Sequence, residues 1–197
     1  MIISIEGVDG VGKTKVAKAL AGRLHICYQK FPDRTTESGK LLAAVLQGQA
    51  RIHPVAFQAL QIANRLEQLP LLHHAYQGGT HLVCDRYTLS GAVYGRLEGL
   101  RMGWLLSMLR AVPAANVEVL LTCDVKKLDG ERLAGRDREM YETGGVERLA
   151  QTQSKFEGFF ETRETNRRAR WLKYDTTYVA PEIIAKRIAD TLKGCFV

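Results

Sequence analysis

Short runs rich in apolar residues alternate with longer amphipathic stretches along this chain of 197 residues. The runs at Ile2–Glu6 and at residues 26–31, 80–84, 117–123 and 170–174 predict strands. Between them, apolar residues recur at helical spacing in Lys13–Leu24 and in residues 38–47, 54–76, 102–111, 146–165 and 181–192. Such alternation predicts an α/β fold, a three-layer α/β/α sandwich around a five-stranded parallel sheet. Ligands of these folds bind beyond the carboxyl ends of the strands. With no repeat, low-complexity tract or Pro/Ser-rich linker, residues 1–197 read as a single domain.

The helix predicted over residues 54–76 carries two distinct faces. Ala59, Ile62, Ala63, Leu66 and Leu69 form an apolar stripe suited to the core. Phe57, Gln61, Arg65 and Gln68, spaced by four, four and three, lie on another face. An aromatic, two amides and an arginine suit a pocket wall as well as a solvated surface.

Composition narrows the function classes. At 46% hydrophobic and 25% charged residues, disorder and fibrous repeats are disfavoured. Cys27, Cys84, Cys123 and Cys195 are scattered without a C-x-x-C pair, which predicts free, buried thiols rather than a metal site or disulfide framework. No signal-peptide pattern or long apolar span is visible, so the expectation is a soluble cytoplasmic protein with no membrane partner. Lys and Arg total 28 against 21 Asp and Glu, a formal charge of +7 that suits an anionic partner.

The chemistry begins at Gly7-Val8-Asp9-Gly10-Val11-Gly12-Lys13-Thr14, which fits G-x-x-x-x-G-K-[ST] in full and sits between a predicted strand and a predicted helix. In that context backbone N–H groups converge on phosphate oxygens and the helix N-terminus adds its positive dipole. The Lys13 ammonium is placed to reach the β- and γ-phosphates, and the Thr14 hydroxyl to ligate Mg²⁺. The motif specifies a nucleoside triphosphate site and leaves the phosphoryl acceptor open.

Three further clusters bear on that acceptor. Asp85-Arg86-Tyr87 follows a strand, so Asp85 can hold Mg²⁺ beside Thr14 and Arg86 can clamp an anion. Phe31-Pro32-Asp33-Arg34 follows another strand. Arg34, Arg65 and Arg86 together suggest a second, phosphate-bearing substrate rather than water. Residues 129–145 combine glycines with mixed charge and read as either a solvated loop or a mobile lid. As a lid they would bring Arg132, Arg136 or Arg138 to a transferring phosphoryl group.

Taken in order, these segments resemble the thymidylate kinase family, in the nucleoside monophosphate kinase branch of P-loop proteins. The resemblance rests on Ile5-Glu6-Gly7-Val8-Asp9 with the phosphate loop, Phe31 to Leu41, Ala63-Asn64-Arg65-Leu66-Glu67-Gln68 and Asp85-Arg86-Tyr87-Thr88-Leu89-Ser90-Gly91. Tyr141-Glu142 and Tyr174-Asp175-Thr176 fit as well. It implies a P-loop kinase architecture, the reaction of ATP with dTMP to give ADP and dTDP in dTTP synthesis, Mg²⁺, and a homodimer.

By resemblance, ATP engages Gly7 to Thr14 and the loop containing Asp175, Thr176 and Thr177. Asp9 then meets the deoxyribose 3′-hydroxyl, Arg34 and Arg86 hold the dTMP phosphate, and Arg65 meets the thymine edge. Phe31, Ser90, Gly91 and Tyr94 border the nucleotide, and Tyr87 and Tyr141 crowd the 2′ side of the sugar. Catalytic roles fall to Lys13, Arg86 and one of the lid arginines Arg132, Arg136 and Arg138.

Three positions depart from the family pattern. Gly10 stands where eukaryotic-style members carry a loop arginine, and Met140 where a lid arginine often precedes the Tyr-Glu pair. Gln61 stands where an aromatic usually stacks on thymine, and Phe57, one turn earlier, is the candidate substitute. The last departure keeps a kinase of broader base choice, including dUMP or dGMP, as an alternative. A nucleic-acid-binding P-loop ATPase is a more distant one, suggested by Arg163, Arg167, Arg168, Arg170 and Lys173 around Trp171.

Overall fold

The computed structural model describes residues 1–131 and 145–195, with backbone only for 129–131. Five strands form one parallel sheet: β1 (Ile2–Glu6), β2 (Cys27–Lys30), β3 (Leu82–Asp85), β4 (Val117–Thr122) and β5 (Arg170–Asp175). Their order across the sheet is β2-β3-β1-β4-β5. β1 and β4 are buried along their whole length, whereas β2 and β5 form the half-exposed edges. This burial explains why the central strands read as continuous apolar runs.

The helices are α1 (Lys13–Leu24), α2 (Glu37–Leu46), α3 (Pro54–Leu66), α4 (Leu69–Tyr76), α5 (Thr88–Leu97), α6 (Met102–Leu109), α7 (Val125–Glu131), α8 (Gly145–Thr162) and α9 (Pro181–Thr191). α1 packs beside α9 on one face of the sheet, and α5 packs with α3, α6 and α8 on the other.

Two expectations for residues 54–76 need correction. The helix expected over residues 54–76 is two helices, because Pro70 has no N–H to continue the ladder and starts a new first turn. The face that α3 turns inward also differs. Ala63 and Leu66 of the supposed core stripe are exposed, while Phe57, Gln58, Ile62, Asn64 and Arg65 are buried. Arg65 tolerates burial because its guanidinium donates to the Tyr87 and Gln61 carbonyls and lies over the Phe31 ring.

α5 escaped the periodicity reading for a physical reason. Thr88 to Gly95 are all buried, so no polar face marks a helical repeat. The cysteines are all free, but only Cys84 and Cys123 are buried, and Cys27 and Cys195 are exposed. Among the described residues no helix is long and apolar enough to cross a membrane.

Candidate active site

The carboxyl ends of β1, β2 and β3 open into a cleft of about 1700 Å³, more than one small ligand needs. Its floor is the loop joining β1 to α1. Gly7 enters this loop at φ 140°, and a Cβ there would meet the Leu121 carbonyl oxygen at 2.4 Å, so only glycine passes beneath β4. Lys13, buried at the start of α1, donates from Nζ to the Val8 carbonyl at 2.6 Å and lies 3.7 Å from Asp9 Oδ1. Burial, and after it the Arg86 charge, push the Lys13 ammonium down to about 8 against the pull of Asp9, Asp85 and Glu6.

Next in α1, the Thr14 hydroxyl donates to Asp85 Oδ2 at 2.5 Å, and the Tyr28 hydroxyl donates to the same oxygen at 3.3 Å. A buried carboxylate and a hydroxyl thus stand together at the head of the phosphate loop. These are hard oxygen donors of the kind Mg²⁺ takes.

Arg86 occupies the turn between β3 and α5 in a left-handed conformation, φ 68°. It pairs with Asp9 Oδ1, donates to Ser90 Oγ at 3.1 Å and lies over the Tyr94 ring. Burial alone would raise the Asp9 pKa. Arg86, Lys13 and the Tyr94 hydroxyl outweigh it and hold the carboxyl at about 2. Beneath them, Glu6 at the end of β1 accepts from the Tyr87 and Ser90 amides and from the Ser90 hydroxyl.

Arg34 lines the cleft from an exposed position on the loop after β2. That loop is tied to α3 by Asn64, which accepts from the Asp33 amide at 2.7 Å and donates to the Asp33 carbonyl, Thr36 and Ser38. The loop passes so close to α2 that a Cβ at Gly39 would lie 1.7 Å from the Asp33 carbonyl oxygen. Thr36 caps α2 by accepting from the Gly39 amide.

Of the residues singled out from sequence, Asp9, Gly10, Val11, Gly12, Lys13, Thr14, Phe31, Arg34, Gln61, Arg65, Asp85, Arg86, Ser90, Gly91, Tyr94 and Thr176 line this one cleft. Others lie elsewhere. Gly7 and Val8 belong to the loop but do not line the cleft, while Asp175 accepts from the Thr177 amide and Thr177 Oγ1 accepts from the Asp124 amide beside it. Phe57 is packed into the core. Tyr87 is buried against Phe31, with its hydroxyl donated to the Pro113 carbonyl, so it does not border the cleft. Arg132, Arg136, Arg138, Met140 and Tyr141 lie outside the described residues.

Sequence reading assigned no site role to Glu6, Tyr28, Asn64 or Gln58, although Glu6 and Asn64 lie in segments that carry the family resemblance. A charged residue ending an apolar strand was the available signal for Glu6. Gln58 carried none, because amides on a helix read as surface. The basic stretch 163–173 is exposed at its arginines, but Trp171 is 8% exposed and packs edge-on against Phe160.

Comparison with known proteins identifies the family. The thymidylate kinase family model matches residues 5–177. Human thymidylate kinase is 32% identical over 155 residues, covering 76% of this chain and 72% of the human protein. The Danio rerio thymidylate kinase is 26% identical over 188 residues, covering 92% and 85%. The fold of a Candida albicans thymidylate kinase superposes with a TM-score of 0.74 at 22% identity, covering 98% of this chain and 90% of that one. The chain belongs to the thymidylate kinase family.

Proposed function

We propose that the cleft transfers the γ-phosphoryl group of ATP to dTMP, giving ADP and dTDP. The observation that carries this reading is the pairing of two anion sites in one cleft. The phosphate loop with Lys13 and the Thr14–Asp85 pair forms the first, and the Arg86 and Arg34 guanidiniums, Arg86 paired with Asp9 of that loop, form the second. A hydrolase needs only the first site.

An oxygen of the dTMP phosphate attacks the γ-phosphorus as the bond to the β,γ-bridging oxygen breaks, and ADP leaves. The attacking oxygen is already anionic near neutral pH, so no general base is required. Lys13 and the loop amides neutralise the donor phosphates. Thr14 and Asp85 are the residues that would hold Mg²⁺, whose charge offsets that of the β- and γ-phosphates. Arg34 and Arg86 grip the acceptor phosphate, Asp9 meets the sugar 3′-hydroxyl, and Arg65 meets the base. One of Arg132, Arg136 and Arg138 completes the charge compensation from the lid segment 129–145, and Thr176, with its neighbours Asp175 and Thr177, borders the adenine.

The same reading includes a single domain, a cytoplasmic location suited to four free thiols, and a homodimer. Support for the dimer is the exposure of Leu41, Val55 and Leu66 on the adjoining helices α2 and α3, at 44%, 38% and 37%. Leu66→Glu is expected to yield a monomer by light scattering.

The deciding experiment is a coupled ADP-release assay with ATP, Mg²⁺ and a panel including dTMP, dUMP and dGMP. The highest kcat/KM is expected with dTMP. Turnover of another monophosphate without turnover of dTMP would overturn the substrate assignment.

A further inference from the structure

α3 presents Gln58, Gln61 and Arg65 to the cleft opposite Gly91 of α5. Gln58 stands out by what it lacks. It is only 4% exposed, among core residues of α3, yet none of the described residues hydrogen-bonds its carboxamide. Its polar atoms are not sealed in the core but open to the cleft that Gln58 lines, where a ligand can complete the amide. Its Oε1 lies beside Gly91, 3.8 Å from where a Cβ would stand, so the missing side chain at Gly91 keeps the space before the amide open.

The neighbouring polar groups are already engaged. Gln61 Oε1 accepts from Arg65 Nη1 at 3.4 Å. Ser90 Oγ accepts from Arg86 and donates to Glu6, and the Tyr94 hydroxyl donates to Asp9. Arg65 has donors only. A thymine ring presents two carbonyl acceptors flanking one donor, N3–H. Arginine can satisfy a carbonyl, but the ring N–H requires an acceptor, and Gln58 Oε1 is the uncommitted one on this wall.

We propose that Gln58 is a specificity-determining residue for the acceptor nucleotide, its carboxamide oxygen accepting the N3–H of the pyrimidine-2,4-dione ring. The inference deepens the dTMP-kinase reading and rests on it. It assigns base selection in this chain to an amide hydrogen bond from a position one turn before Gln61.

The test compares dTMP with 3-deazathymidine monophosphate, in which a C–H replaces N3–H, at saturating Mg²⁺ and ATP. Wild-type protein is expected to prefer dTMP by about tenfold in kcat/KM. Gln58→Leu is expected to lose about tenfold on dTMP, chiefly through KM, and nothing on the analogue, so that the preference falls to near unity. The KM for ATP should not change.

Equal kcat/KM for the two nucleotides in the wild-type protein overturns the proposal without any variant having to fold. Equal losses on both nucleotides in Gln58→Leu overturn it as well, because they mark a packing role. Absence of dTMP turnover in the wild-type protein overturns the substrate reading and the base contact together, whereas turnover without N3–H discrimination overturns the base contact alone.

Discussion

The guanidinium of Arg86 joins the carboxylate of Asp9 across the mouth of the phosphate loop, linking the turn after β3 to the loop after β1. The same fork reaches Ser90 Oγ and, at 3.4 Å, the Gly7 carbonyl. A lysine carries the charge but not the planar fork that serves several acceptors at once. Arg86→Lys is expected to lower kcat/KM for dTMP by about 10²–10³-fold. Steady-state kinetics checks this, and near wild-type values would remove Arg86 from the acceptor site.

Lys13 should take up protons when the donor binds. Without ligand its ammonium is held at about 8 by burial first and then by Arg86. Triphosphate oxygens favour the charged form and raise that value, so ATP binding at pH 8 should be accompanied by uptake of about half a proton. Uptake should fade toward pH 6.5, where Lys13 is already protonated. Calorimetric titration in buffers of different ionisation enthalpy measures it. Lys13→Met should abolish the uptake and reduce kcat by several orders of magnitude.

Asn64 does not line the cleft, yet it fastens the loop that carries Arg34. Asn64→Leu would leave the Asp33 amide and carbonyl without these partners inside the protein. The expected result is a KM for dTMP raised about tenfold or more, with kcat changed less and the KM for ATP unaltered. A uniform fall in kcat with both KM values intact would contradict the positioning role.

Glu118 should make stability fall with rising pH. Burial first, and the Glu6 carboxylate second, raise its pKa to about 8, against hydrogen bonds from Ser4 and Asn166. Between the ordinary carboxylate value and 8 the unfolded chain is ionised there while the folded one holds the proton. That contribution is therefore present at low pH and is lost as pH rises through 8. From pH 6 to pH 8 the loss is about 2 kcal/mol for this group. Denaturant melts should show the decline in the wild-type protein and a flatter profile in Glu118→Gln.

The phosphate loop was legible because its chemistry is local. Consecutive residues supply the amides, Lys13 and Thr14, and their spacing alone defines the cradle. The central strands were legible for a related reason, since burial on both faces writes an apolar run. The clusters Phe31-Pro32-Asp33-Arg34 and Asp85-Arg86 could be placed as well, because parallel strands of an α/β sheet deliver their carboxyl ends to one edge.

Which way the side chains of α3 and the β3–α5 turn point was decided by tertiary structure. Arg65 turns inward because the Tyr87 carbonyl and the Phe31 ring, distant in sequence, meet its charge there. That rotation exposes Leu66, sends Phe57 to the core and brings Gln58 to the cleft. Tyr87 points away from the cleft because Pro113 accepts its hydroxyl. By itself the sequence determined a P-loop phosphotransferase with a second anion site. The wall that meets the acceptor base was decided only by packing, because partners far apart along the chain determine which polar groups are satisfied and which one is left open to a ligand.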